Sequence, residues 1–245
     1  LVAVAVAVAV GGAGVAGDTA GTPAPAAAVD ETPTATPIPA LPGTATATAG
    51  FTVTQTPATV VVAPGETVTV DATLAELEPH LDADDVVVDG GNSHFEDSLP
   101  RAEATDAAYL DCGTSGGPAG AALGFSLMIG GPEWAYEAMV PVFDAVATGP
   151  AGHDRMGPAG AGHYVKMVHN GVEYALMQAY GEGFELLHRG RYDLDLESVA
   201  RTWSNGAVIR SWLLDLCEEA FREEGSDLGD VADHVAGGST GTWTL

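Results

Sequence analysis

Lysine is almost absent from this chain. One lysine, Lys166, is counted among 8 basic residues, which face 34 acidic ones in 245, for a formal net charge of -26. Residues 1 to 100 hold no Lys or Arg, and Arg101 is the first. That deficit excludes a nucleic-acid groove or a surface for anionic membranes, both of which need basic stripes. Acid spread over a chain that is 46% hydrophobic is not a disordered tail. It suits a folded protein kept soluble in concentrated salt, where self-repulsion is screened, as in a salt-adapted cell. Cysteine is nearly absent too. Cys112 and Cys217 stand far apart, without a CxxC pair or metal-type His spacing, so buried thiols in a reducing cytoplasm and no metal site are expected. No early run is long enough to cross a bilayer. The Ala/Val alternation of Leu1 to Val10 is short and lacks a basic flank, which argues against a membrane span or a signal peptide.

What is present changes character near residue 72. Residues 1 to 70 are mostly Ala, Val, Thr, Pro and Gly without helical periodicity, although Thr52-Val53-Thr54 and Thr67-Val68-Thr69-Val70 could be strands. From Leu74 the text alternates between element types. A short helix spans Leu74 to His80, and a buried strand, Val86 to Asp89, ends at Gly90-Gly91-Asn92-Ser93. A helix near Arg101 to Ala107 precedes the strand Tyr109 to Cys112, which runs into Gly113-Thr114-Ser115-Gly116-Gly117. Phe125 to Ile129 reads as another strand, followed by a helix over 132–147. Beyond Gly160 only helices are legible, over 161–189, 195–204, 206–223 and 226–235. The expected fold is an α/β Rossmann-type parallel sheet followed by an all-α C-terminal domain. Its divisions are residues 1–72, atypical and of low complexity; residues 73–150, the remainder of the Rossmann-type sheet; and residues 151–245, the helical domain.

The lone lysine lies in Gly162-His163-Tyr164-Val165-Lys166-Met167-Val168-His169-Asn170-Gly171-Val172-Glu173-Tyr174. On a helix, Asn170, Glu173 and Tyr174 fall on the same face as Lys166, with His169 beside them. The flanking Val165, Met167, Val168, Leu176 and Met177 predict a largely buried helix, and a buried polar stripe needs partners. An amine and a carboxyl two turns apart suit acid/base chemistry, because burial lowers a lysine pKa toward the neutral form that a base requires. Parallel sheets bind ligands at the carboxyl ends of their strands, where Asp89 to Ser93 and Gly113 to Gly120 both fall. Glycines there admit an anion to the backbone, while Asn and Ser donate hydrogen bonds. Arg210 has the planar fork that binds oxyanions in pairs, although a surface ion pair on a helix is the alternative. Trp203 and Trp212 are expected in the core.

Taken in order, DGGNS, SGGxxG, GxGHxVKMVHNGxEY and W-x-x-G-x-V-I-R-S resemble the 6-phosphogluconate dehydrogenases, in particular their shorter form, over about residues 74–245. The resemblance implies oxidative decarboxylation of 6-phosphogluconate to ribulose 5-phosphate in the pentose phosphate pathway, with NADP or NAD as cofactor. Lys166 would be the base on the C3 hydroxyl, and Glu173, protonated when it acts, the acid at C1 of the enediol. Asn92, Ser115, Gly116, Gly117, His169, Asn170 and Tyr174 would line the sugar acid, Asn92 also touching the cofactor. Arg210 would hold the phosphate, and the helical domain implies a homodimer. A β-hydroxyacid dehydrogenase for a non-phosphorylated acid, and a non-catalytic chain that binds sugar phosphate, are the rivals.

The amino-terminal part departs from that pattern. Gly12-Ala13-Gly14-Val15-Ala16-Gly17 matches the G-x-G-x-x-G string, which makes Gly12, Gly14 and Gly17 candidates for the dinucleotide pyrophosphate, after a Val/Ala run that could be a strand. No amphipathic helix follows, since prolines stand at 23, 25, 33 and 37. A disordered extension, or a G+C-rich coding sequence read in a shifted frame, would give the same text. At the other end, Gly237 to Thr244 resembles a Gly-rich family motif that is followed by more helix, so the chain is expected to be short there.

Overall fold

The computed structural model describes residues 3–6, 70–117 and 119–229. Gly12, Gly14, Gly17, the expected strand at 52–54 and the motif at 237–244 lie outside them, as does most of the helix expected over 226–235. Five strands form one sheet in the order β1 (Ala3–Val6), β2 (Val86–Asp89), β3 (Ala108–Ser115), β4 (Ser126–Gly130), β5 (His153–Gly157). The pairs β1/β2, β2/β3 and β4/β5 run parallel. The β3/β4 pair runs antiparallel, with Asp111 opposite Gly130 and Cys112 opposite Ile129. Its connection contains only the four-residue helix α3 (Gly120–Leu123), too little chain for the crossover that a parallel pair demands. The Val/Ala start does supply a strand.

Both faces of the sheet are covered, which is why β2 reads as an unbroken Val86-Val87-Val88 run rather than an alternation. Val86, Val88, Leu110, Cys112 and Ile129 pack against Ala135, Met139 and Phe143 of α4 (Glu133–Val146). On the other face Val87 and Tyr109 pack against Val70 and Leu74 of α1 (Val70–Leu77), and a 3-10 turn, Glu78–His80, follows α1. Val70, read as the end of a strand, therefore opens a helix. The next helix, α2 (Phe95–Ala104), begins six residues before the expected one. The apolar Phe95 and Leu99, within an acidic stretch, concealed that start. β5 went unread because His153-Asp154-Arg155-Met156-Gly157 has no apolar alternation and only His153 is buried.

The carboxyl-terminal half is helical: α5 (Ala161–His188), α6 (Leu196–Ser204) and α7 (Trp212–Glu224). Tyr180 and Phe184 of α5 pack with Leu196, Ala200, Leu214 and Phe221. Asp195 and Ser211 cap α6 and α7, their side chains accepting the amides of Ser198 and Leu214. Residues 206–211, expected to be helical, are a connection, because Gly206 has φ +113° and the Ser211 cap starts α7 afresh. Trp203 stacks near Phe184, at 5.4 Å between centroids, but Trp212 is 51% exposed rather than in the core.

The expectation that α5 is largely buried also fails. Gly162, His163, Met167 and Asn170 are buried, whereas Val168, Val172, Leu176 and Met177 are exposed. The first turns of α5 rest on β3 and β4, and the later ones run past the sheet into the helical half. Both cysteines are free thiols, and burial pushes the Cys112 thiol up to about 12. Among the described residues no helix is long and apolar enough to cross a membrane.

Candidate active site

The first turn of α5 touches the sheet through backbone. A Cβ on Gly162 would lie 2.3 Å from the Met128 carbonyl and 2.5 Å from that of Asp111; one on Gly113 would lie 2.4 Å from Lys166 Cβ. Glycine at these positions is what lets helix and strand approach so closely. Lys166 is thereby held against β3 and half buried. Its neighbours follow from the two periodicities. Asp111, Gly113 and Ser115 alternate along one side of β3, while His163, Lys166 and His169 recur every three residues on α5. Ser115 Oγ lies 3.2 Å from His169 Nε2.

His169 is the hub. Its Nδ1 is 3.0 Å from Asn170 Oδ1, 3.3 Å from Lys166 Nζ and 3.7 Å from Glu173 Oε2. The two ring nitrogens thus have separate partners, Nδ1 the Asn170 amide oxygen and the amine, Nε2 the Ser115 hydroxyl. Burial pushes the Lys166 pKa down, and the charge of Glu173 opposes that shift without reversing it.

The remaining loops are shaped from behind. Asp89, fully buried at the end of β2, accepts from Gly91 N–H at 3.0 Å, Ser93 Oγ at 2.9 Å, Tyr109 OH at 2.8 Å and Arg101 at 3.4 Å. That ties down the strand-end turn and leaves Asn92 exposed at its tip. Gly116 (φ +141°) and Gly117 (φ +54°) turn the chain after Ser115, where a side chain would be strained. A cleft of about 350 Å³ opens there, lined by Ser115, Gly116, Ser126, Thr148 and Trp212. Tyr180 fixes the α6–α7 connection, donating to the Ile209 carbonyl at 2.5 Å and lying 2.8 Å from Ser211 Oγ. Between these anchors Arg210 is exposed and forms no ion pair among the described residues, so the surface-pair alternative has no partner there.

Lys166, Ser115, His169, Asn170 and Glu173 are thus gathered into one cluster. Asn92, Tyr174 and Arg210 are exposed and hydrogen-bond to none of it among the described residues. Asp111, His163 and Ser98, which the sequence reading passed over, form a buried group under the start of α5. An aspartate inside the apolar strand Tyr109-Leu110-Asp111-Cys112 was the available signal.

A parallel-dominated sheet that delivers a lysine-bearing helix into a helical domain has the build of a two-domain, dinucleotide-dependent dehydrogenase. Two family models divide the chain between them. Residues 8–162 match the NAD binding domain of 6-phosphogluconate dehydrogenase, and residues 162–244 match the 6-phosphogluconate dehydrogenase C-terminal domain. The chain belongs to the 6-phosphogluconate dehydrogenase family. It is 84% identical over 176 residues to the NAD(+)-dependent, decarboxylating 6-phosphogluconate dehydrogenase of Haloferax volcanii, which covers 72% of this chain and 59% of that protein. It is 38% identical over 189 residues to the decarboxylating 6-phosphogluconate dehydrogenase of Lactococcus lactis, covering 71% and 40%. Among solved structures it is similar to Plasmodium falciparum 6-phosphogluconate dehydrogenase, determined in its apo form and with NADP+ or 6-phosphogluconate. That match has 31% identity and a TM-score of 0.62, and covers 71% of this chain and 40% of the other. The chain spans about 60% or less of the length of these relatives.

Proposed function

We propose that this site oxidatively decarboxylates 6-phosphogluconate to ribulose 5-phosphate and CO2, with NAD as the hydride acceptor. The observation that carries the reading is Lys166, half buried, its pKa pushed down, and 3.3 Å from His169 Nδ1. The described residues fit the nicotinamide end of a dinucleotide. Asn92 stands exposed past the carboxyl end of β2, and a Cβ on Gly117 would meet nothing within 4 Å, so a ligand has access to both strand ends. When bound, the nicotinamide supplies the acceptor for a hydride. Gly12, Gly14 and Gly17 would hold its pyrophosphate. The choice of NAD follows the name of the Haloferax volcanii relative.

Lys166 takes the C3 hydroxyl proton as hydride leaves C3. The resulting 3-keto acid loses its carboxylate as CO2, the electron pair left on C2 forms the C2–C3 double bond, and the proton held by Lys166 returns to the C3 oxygen to give an enediol. Glu173 then protonates that enediol at the former C2, which becomes C1 of ribulose 5-phosphate, as Lys166 takes up the proton of the neighbouring hydroxyl to leave the ketone. Ser115 and His169 orient the substrate hydroxyls, with Asn92, Gly116, Gly117, Asn170 and Tyr174 lining the same acid and Arg210 binding the phosphate. The working form is a homodimer in the cytoplasm of a salt-adapted cell. Residues 73–150 complete the nucleotide domain and residues 151–245 form the substrate domain.

The test follows NADH and CO2 together on mixing the full chain with 6-phosphogluconate and NAD in molar KCl. Equal yields are expected, with loss of both in Lys166→Ala. NADH formation that persists in Lys166→Ala would refute the assignment of the base.

A further inference from the structure

Three points on one strand meet three points on one helix. Ser115 of β3 meets His169, and Gly113 admits Lys166. The third contact is polar: Asp111 Oδ1 accepts the Gly160 amide at 2.6 Å, and its Oδ2 accepts the His163 amide at 2.8 Å. Gly160 occupies the N-cap position of α5 with φ +92°, and it has no side chain to cap with. Asp111 supplies the missing cap from another element, accepting the His163 amide that a cap side chain ordinarily serves and, besides it, the amide of the cap residue itself. The carboxylate is fully buried, and among the described residues no Lys or Arg pairs with it. A buried charge in that position needs compensation, and the positive end of a 28-residue helix provides it. The group extends to a third element: Ser98 of α2, fully buried, lies 3.0 Å from His163 Nδ1. α2 follows the loop that carries Asn92.

We propose that Asp111 is a positioning residue for this site: by holding the Gly160 and His163 amides it sets the rotation and advance of α5, and so places Lys166 against His169. Ser98 and His163 extend the same lock to α2. The inference rests on the proposed role of Lys166 as base. Asp111→Asn keeps the shape of the side chain but turns an NH2 toward one of the two amides, donor against donor. The start of α5 then shifts, and Lys166 loses its fit against β3.

The single lysine makes the test direct. The full chain grown on lysine labelled with 13C at Cε gives one such resonance, whose titration reads Lys166 without any need for turnover. The groups facing the amine are His169 and Glu173 on α5 and, beyond His169, Ser115 on β3. In wild type the resonance should titrate below the ordinary lysine value. In Asp111→Asn it should move back up toward that value, and kcat should fall about 100-fold, as for a misplacement of about 1 Å, while KM for 6-phosphogluconate is little changed. Folding is checked by circular dichroism. If Asp111→Asn does not fold, Ser98→Ala decides, with a smaller shift in the same direction expected. A folded Asp111→Asn with an unmoved Lys166 titration overturns the proposal, as does an unmoved Ser98→Ala where the first variant fails to fold. A wild-type Lys166 that titrates at the ordinary value counts instead against the base itself.

Discussion

Replacing Gly162 by alanine pits two effects of opposite sign against each other. Alanine is favoured over glycine in a helix by at most about 1 kcal/mol. Against that, the new Cβ would sit 2.3 Å from the Met128 carbonyl oxygen, 2.5 Å from that of Asp111 and 2.7 Å from the Gly130 nitrogen. Even a close C–H to oxygen contact has its carbon about 3.3 Å away, so the overlap is about 1 Å. None of the three atoms belongs to a side chain that can swing aside, and Asp111 and Gly130 are register partners in the β3/β4 ladder. The helix must therefore lift. Overpacking of this kind costs about 1–3 kcal/mol, and immovable backbone on three sides puts this site near about 3. The net loss is about 2 kcal/mol, or a fall of about 4–8 °C in Tm for a chain of this length. Gly181 on the same helix has nothing within 4 Å of its hypothetical Cβ. There the helix preference acts unopposed, and Gly181→Ala should raise Tm by up to about 4 °C. Thermal unfolding followed by circular dichroism, in one molar KCl buffer for all three proteins, reads both. A Gly162→Ala protein as stable as wild type would refute the close approach of helix and sheet.

Further expectations follow from other groups. Lys166→Met should abolish turnover yet raise Tm at neutral pH. The folded-state pKa of Lys166 lies below its unfolded value, so folding releases protons between the two, and stability grows as pH rises through that interval. The Tm advantage of the methionine variant should therefore shrink as pH approaches the ordinary lysine value; an advantage that is constant with pH would show the amine to be unperturbed. Arg210→Ala should raise KM for 6-phosphogluconate about 10–100-fold, the worth of a hydrogen bond to a charged group, and unchanged binding would remove Arg210 from the phosphate site. Tyr180→Phe deletes the hydroxyl that ties Ile209 and Ser211 to α5 and should cost about 1–3 kcal/mol, checked by urea unfolding. Dilution from molar to about 0.1 M salt lengthens screening from about 3 Å to about 10 Å and should lower Tm, given a net charge of -26.

The parts that were legible in the sequence are those where a local pattern has a single physical solution. Val86-Val87-Val88 is apolar on both sides and is a covered strand, and the KMVHNG stretch repeats with the helical period and is a helix. The cluster of Lys166, His169, Asn170 and Glu173 follows from that period, and Ser115 joins it because it ends a neighbouring strand. What stayed hidden depends on partners distant in sequence. Asp111 reads as a misplaced polar residue until the Gly160 amide is brought to it. β5 is polar because only His153 faces inward. The exposure of Val168, Val172 and Leu176 depends on where α5 leaves the sheet, which no periodicity encodes. Trp212 lines a cleft because Gly206 and Ser211 break what looked like one helix.

At Gly162 the contact between α5 and the sheet is main chain against main chain, with the Met128 and Asp111 carbonyls and the Gly130 nitrogen all close. Side chains on the outer surface can then be exchanged without touching the contact that holds Lys166 against the sheet. A lineage entering brine could trade its surface lysines for glutamate and aspartate one after another, and the geometry at Lys166 would not register the change. The same arrangement limits what can vary at the contact, where a single added methyl has no room. Freedom to adapt outside and rigidity within are thus two results of one choice of residue.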